Sequence, residues 1–196
     1  MTLDVSKFHK LIVADTCAVW NVLSSRLLHH TGTVAGCSFS LTDFVLYECL
    51  HKPRSSIDAS DMELQRRLKE ARSAGHFQNY ALDVEDLQEV QILEKRRNLS
   101  KGELAAIALA KKTQQAFLTD DQKARQLAAT TLESQRIQTT PHLLGWLVFI
   151  GRLGDSDISP IVSEHEQLNR PLRPYFIAMY NEALRCRLMQ TKSSSQ

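Results

Sequence analysis

The sequence predicts an α/β fold: a three-layer α/β/α arrangement with a central, mostly parallel sheet, plus helices added at the C-terminal end. Three observations carry this expectation. Short apolar runs alternate with segments whose apolar residues recur at helical spacing. The clearest run, Leu11–Ala14, is apolar at every position, as a strand buried on both faces must be. A strand–helix–strand rhythm requires crossover connections, and these place helices on the two faces of a parallel sheet.

The elements follow in order. After the first strand, Val19, Trp20, Val22, Leu23 and Leu27 repeat at helical spacing, which predicts one helix over residues 16–28. Gly32 and Gly36 mark a loop, and residues 37–40 form a second strand. Thr42 or Asp43 caps a helix through Phe44, Val45, Leu46 and Leu50, which Pro53 stops. Ser60 caps a polar helix over residues 61–74, closed by Gly75. Residues 79–82 make a short strand, and Asp83 begins a helix reaching about Arg97. Ser100 and Glu103 have capping-box spacing ahead of a helix over residues 101–112. Residues 115–119 form a strand that ends in Asp120-Asp121, with a helix to about Leu132 behind it. A short strand over 136–139 precedes an apolar helix over 141–152. Two further helices, 158–168 and 174–189, are expected to pack on the sheet. The expected organisation is a unit over residues 1–155, a helical extension over 156–190 and a flexible polar tail over 191–196.

Composition excludes some classes. At 196 residues, 43% apolar and 23% charged, the chain can bury a full core without staples. A net charge of +2 does not by itself call for nucleic acid, because such binders concentrate charge in a patch. The two candidate patches are Arg66-Arg67-Leu68-Lys69 with Arg72, and Lys95-Arg96-Arg97; solvated helix faces are the simpler account of either. Cys17, Cys37, Cys49 and Cys186 form no CxxC pair and read as reduced residues of a cytoplasmic protein. No leader peptide is visible, and the most apolar run, residues 143–150, is too short to span a bilayer.

The chemistry lies in acidic residues placed where apolar segments meet helices: Asp15, Glu48, Glu103 and the pair Asp120-Asp121. In an open parallel sheet, ligands bind beyond the carboxyl ends of the strands, where Asp15 and Asp120-Asp121 fall. Carboxylates gathered at one rim repel each other unless a cation neutralises them. Oxygen-only ligand sets suit Mg²⁺ or Mn²⁺, alone or as a pair of ions that activates water and stabilises a leaving oxygen. Each residue also has a plainer role. Glu103 completes a capping box, and Asp120 or Asp121 caps a helix. Asp15 is the hardest to explain structurally, since a charge beside a core is costly.

The residues at these positions resemble a known family. Val13-Ala14-Asp15-Thr16-Cys17-Ala18-Val19 and Val45-Leu46-Tyr47-Glu48-Cys49-Leu50 are two matching pieces. Two more specific ones run from Leu99-Ser100-Lys101-Gly102-Glu103 through Ala110, and from Phe117-Leu118-Thr119-Asp120-Asp121 through Arg125. Together they resemble the PIN-domain proteins, which include VapC-type toxin ribonucleases and eukaryotic RNA-decay nucleases, over residues 11 to about 152. The resemblance implies Mg²⁺- or Mn²⁺-dependent hydrolysis of single-stranded RNA, with acidic positions at Asp15, Glu48, Glu103 and Asp121. It makes Asp120 a supporting carboxylate that can exchange roles with Asp121, and Thr119 and Thr16 supporting hydroxyls. Many relatives carry Asp where this chain has Glu103, and the longer side chain is expected to shift a second ion. It also implies an antitoxin or other protein partner and a homodimer. Arg125, Arg66 and Arg67 are the candidate nucleic-acid contacts; for Arg125, pairing with a surface carboxylate is the favoured alternative.

Other classes fit less well. A PIN-like binding or regulatory module without turnover stays open, although all four acidic positions are filled. A haloacid-dehalogenase-type phosphatase needs an Asp two residues after the first, where this chain has Cys17. No cysteine has a plausible catalytic partner by spacing. His29, His30 and His51 lack ligand spacing and are expected at the surface.

Overall fold

The computed structural model describes residues 4–53 and 58–193. Five strands, β1 (Leu11–Ala14), β2 (Ser38–Thr42), β3 (Phe77–Tyr80), β4 (Ala116–Leu118) and β5 (Ile137–Gln138), form one sheet in the order β3-β2-β1-β4-β5. All four pairings are parallel. Ten α-helices flank it among the described residues. The expected three-layer α/β/α fold is what the chain adopts.

The strand order places β1 at the centre. The chain builds outward through β2 and β3, then returns to the other side of β1 for β4 and β5. The order therefore reverses between β1 and β4, and their carboxyl ends open a crevice there. Ala14 lies opposite Leu118 in the register. The Asp15 amide donates to the Leu118 carbonyl at 3.2 Å, so the residues that follow the two strands stand side by side.

The helices are α1 (Thr16–Ser24), α2 (Arg26–Val34), α3 (Asp43–Leu50), α4 (Ala59–Ser73), α5 (Val84–Arg96), α6 (Lys101–Thr113), α7 (Gln122–Ala128), α8 (Thr140–Phe149), α9 (Asp155–Gln167) and α10 (Arg173–Ser193). Helix α6 is buried without a break from Leu104 to Ala110, because α3 and α5 cover it on one side and β1 and β2 on the other. Helix α8 is buried from Thr140 to Val148 beneath α10. That close approach depends on Gly145, where a Cβ would stand 3.1 Å from the Met179 carbonyl of α10.

Several expectations are corrected. The helix expected over residues 16–28 is two helices. Ser25 breaks it with extended backbone and caps α2 by accepting from the Leu28 amide at 3.2 Å. The apolar spacing runs across this break because both helices bury a face. Helix α4 is capped by Asp58, which accepts from the Asp61 amide at 2.7 Å, rather than by Ser60. Helix α7 stops at Ala128, short of Leu132, and a 3₁₀ turn at Ser134–Arg136 leads into β5. The last two helices rest chiefly on other helices, α10 on α8 and α9 on α1 and α2, rather than on the sheet. Helix α10 also continues to Ser193, into the segment expected as tail; residues 194–196 lie outside the described residues. His29 is half-buried against His76 and Phe77 rather than on the surface, and burial pushes its pKa down to about 4, with His76 adding to the shift. The four cysteines are free. No helix among the described residues is long and apolar enough to cross a membrane.

Candidate active site

Three of the predicted acids sit in the first turn of a helix, or just before it, and each is fixed by the same local device. Asp15 caps α1: its Oδ1 accepts from the Ala18 amide at 2.8 Å. Glu103 closes the capping box of α6, where its Oε2 accepts from the Ser100 amide at 2.8 Å and Ser100 Oγ accepts from the Glu103 amide at 3.2 Å. Asp121 caps α7, with Oδ1 accepting from the Ala124 amide at 2.8 Å. Capping uses one oxygen of each carboxylate. Among the described residues the second oxygens, Asp15 Oδ2, Glu103 Oε1 and Asp121 Oδ2, accept no hydrogen bond. The capping role and a ligand role therefore do not exclude each other.

Asp15 is the most costly of the three. It is fully buried, and its Oδ2 is shut off from solvent without a hydrogen bond. Burial pushes its carboxyl up to about 8; the charges of Asp120 and Glu103 push the same way, against the Thr119 hydroxyl and the Ala18 amide. Those two charges also place Asp120 and Glu103 within electrostatic reach of Asp15. Thr119 is buried beside it, and its Oγ1 accepts from the Asp121 amide at 3.1 Å.

The other two acids are held by both oxygens. Asp120 accepts from Asn21 Nδ2 at 2.7 Å, from the Thr140 amide at 2.9 Å and from the Thr140 hydroxyl at 2.6 Å. Asn21 is anchored in turn, since its carbonyl lies 2.7 Å from Nε2 of the buried His165 on α9. Glu48 accepts from the Thr16 hydroxyl at 2.6 Å and from the Gly102 amide at 3.1 Å. A Cβ at Gly102 would fall 2.5 Å from Glu48 Oε2, so the Glu48 carboxylate occupies the space that glycine leaves in the first turn of α6.

The basic residues are placed differently from expectation. Arg66 and Arg67 pair with Glu63, and Arg67 also donates to the Leu23 and Ser24 carbonyls. These mark the C-terminal end of α1, about 12 Å along the helix from the Asp15 end. The structure does not bring the two arginines to the acidic rim; Arg67 fastens α4 to α1, and Arg66 pairs within α4. Arg125 makes no ion pair among the described residues. It donates from Nη1 to the Asp120 carbonyl at 3.2 Å, which corrects the expected pairing with a surface carboxylate.

Sequence reasoning missed four residues here. Asn21 and Thr140 clamp Asp120 from 99 and 20 residues away, and neither lies in a recognisable motif. Gly102 carried a usable signal, because glycine in a helix costs about 1 kcal/mol relative to alanine and so needs a reason. Arg170 follows α9; it is half-buried, its charge lowers the pKa of the Cys17 thiol, and it has no ion pair among the described residues. Desolvation, with the neighbouring acids Asp15 and Asp120, nevertheless pushes that thiol up to about 12, so it is no nucleophile at neutral pH.

A divalent cation suits this donor set, because Asp15 Oδ2 is a desolvated oxygen that accepts no hydrogen bond among the described residues. As the side chains stand, no three His, Cys, Asp or Glu groups among the described residues are gathered tightly enough to hold one ion. A family model described as a PIN domain matches residues 38–167, which include Glu48, Glu103, Asp120 and Asp121. The chain belongs to the PIN-domain family, whose members are generally nucleases. Among curated proteins no match is found.

Proposed function

We propose that the chain is a Mg²⁺- or Mn²⁺-dependent endoribonuclease that hydrolyses phosphodiester bonds of single-stranded RNA. One observation carries the reading: a fully buried carboxylate oxygen of Asp15, without a hydrogen-bond partner among the described residues, at the crevice where the strand order reverses. Asp15, Glu103 and Asp121 would hold the ion through the oxygens their helix caps leave over, closing together as it binds. A bound ion would lower the pKa of a coordinated water below that of bulk water and would neutralise charge on the phosphate. The chain's own residues prepare the site. The Ala18, Ser100 and Ala124 amides fix one oxygen of each ligand. Asn21 and Thr140 orient Asp120, and Thr16 and the Gly102 amide orient Glu48, so both stand as supporting carboxylates. The Thr119 hydroxyl orients a water beside Asp15, and Arg125 and Arg170 face the phosphates.

The toxin of a toxin–antitoxin pair is the proposed biological role, with an antitoxin and a second copy of the chain as partners. Its support is the resemblance to VapC-type proteins. The division into a nuclease unit over residues 1–155 and an extension over 156–190 belongs to the same proposal.

A second reading, a binding or regulatory module without turnover, is favoured by the loose spacing of the carboxylates. Cleavage of an unstructured RNA separates the two. The nuclease reading expects cutting with Mg²⁺ or Mn²⁺, none with EDTA, and a loss of about a hundredfold or more in Asp15→Asn with the fold retained. Wild-type rates in Asp15→Asn, or cutting that ignores EDTA, would reject it.

A further inference from the structure

Beside the acidic rim lies a groove of about 680 Å³ that no step above uses. We infer that it seats an unpaired nucleobase of the RNA strand, next to the bond that is cut. The inference rests on the nuclease reading and adds what the site recognises. Four apolar side chains line the groove: Phe44 and Tyr47 on α3, Leu82, and Leu87 on α5. Tyr47 is half exposed, at 50%, although it is a large ring on a helix whose Val45 and Cys49 are fully buried. The His51 ring lies 6.5 Å from it, one turn further along the chain. An aromatic face left open beside a catalytic rim is a platform on which a base can stack, and stacking accepts any base because every base has a π-face.

The groove and the rim share a wall. Glu48 lines the groove, and its Oε2 accepts from Thr16, the residue after Asp15. A base seated on Tyr47 therefore leaves its own backbone at the carboxylates. The charged lining is mixed: Asp43 accepts from Asn79 Nδ2 at 2.7 Å and Glu48 from Thr16 and the Gly102 amide, so both carboxylates are engaged while a cation at the lip is not. Lys52 lines the groove, is exposed and forms no ion pair among the described residues, so its ammonium is available to a phosphate. Lys101 stands at the edge, held by Glu94 at 2.5 Å. An apolar floor with a cation at its lip fits a nucleotide, whose base is flat and apolar on its faces and whose phosphate is anionic. Bases in a duplex are stacked on each other and cannot enter, so the groove selects single strands.

The test is fluorescence anisotropy on the full chain in EDTA, where nothing is cut. The probes are a labelled single-stranded oligoribonucleotide, the same strand annealed to its complement, and an abasic strand of equal length. The wild type is expected to prefer the single strand over both others. Tyr47→Ala should weaken single-strand binding about tenfold or more, given stacking of about 1–3 kcal/mol per base, and leave the abasic strand unaffected. Tyr47→Phe should retain the preference, and Lys52→Ala should weaken the single and abasic strands alike. Wild-type binding by Tyr47→Ala overturns the inference, as does the absence of a single-strand preference in the wild type. So does a change of molar mass in light scattering on Tyr47→Ala with RNA binding intact, since the groove would then be a contact between protein copies. Failure here leaves the nuclease reading to its own cleavage assay. Conversely, a chain that never cuts but loses single-strand binding on Tyr47→Ala keeps the groove and loses the nuclease.

Discussion

Asp15 and Glu63 are both carboxylates beside helices, and the protein treats them in opposite ways. Glu63 on α4 accepts hydrogen bonds from Arg66 and Arg67, which hold its carboxyl down to about 2. Asp15 is fully buried between like charges with one oxygen unmatched, and its carboxyl is pushed up to about 8. At Glu63 the fold supplies the cations itself. At Asp15 it removes water and supplies none, an arrangement with a structural cost that, on the proposed function, a bound cation would offset. Glu63 is thus satisfied by the fold, whereas Asp15 is desolvated and left unsatisfied at a strand-order switch, which is what the proposed site rests on.

The comparison breaks most readily on activity. Asp15→Asn should reduce metal-dependent RNA cleavage by about a hundredfold or more, whereas Glu63→Gln should cut at the wild-type rate. Equal losses in the two variants would erase the distinction. Next comes Gly102→Ala. The new methyl group must displace the Glu48 carboxylate rather than backbone, so cleavage should fall roughly ten- to a hundredfold while the thermal midpoint stays near that of the wild type. A large drop in the midpoint without loss of rate would make Glu48 a structural group.

The third prediction concerns pH. Below about pH 4 the Asp15 carboxyl is protonated in both the folded and the unfolded chain. Between there and about 8 the unfolded chain has lost a proton that the folded one keeps, so stability declines as pH rises through that window. In EDTA, Asp15→Asn should therefore melt above the wild type, with a gain that is small at pH 4 and grows to several degrees by pH 8. A pH-independent difference contradicts the burial of that charge. Glu63 has the opposite sign. Its contribution is present above its ordinary pKa and is lost as pH falls toward about 2. Because its ion pairs are partly exposed, Glu63→Gln should cost no more than about 1 kcal/mol at neutral pH in a urea melt.

Much of the site was legible because its chemistry is written locally. A strand ending in Asp15, the Ser100–Glu103 capping box and the Thr119-Asp120-Asp121 run each show themselves within a few residues, and the β1–β4 pairing sets the residues after those two strands side by side. What stayed hidden is long-range. The hydrogen bonds of Asn21 and Thr140 to Asp120 depend on α1 and α8 meeting beside that residue, which no periodicity reveals. The break at Ser25 hid for a related reason: Leu27 and Leu28 continue the apolar spacing of α1 although they belong to another helix. The roles of Arg66 and Arg67 were illegible because a basic cluster reads the same whether it meets phosphate or, as here, Glu63 and the end of α1.

The most direct measurement is a Mn²⁺ titration of the thermal midpoint at pH 7, on the wild type and Asp15→Asn side by side. A ligand that binds only the folded state raises stability by about 2.7 kcal/mol at a hundred times its dissociation constant, which is a shift of several degrees. The wild type should climb with Mn²⁺ and return on EDTA, while Asp15→Asn should start higher and stay level. Equal climbs in the two proteins, or a wild type indifferent to Mn²⁺, would contradict the claim that the unmatched oxygen of Asp15 awaits a cation.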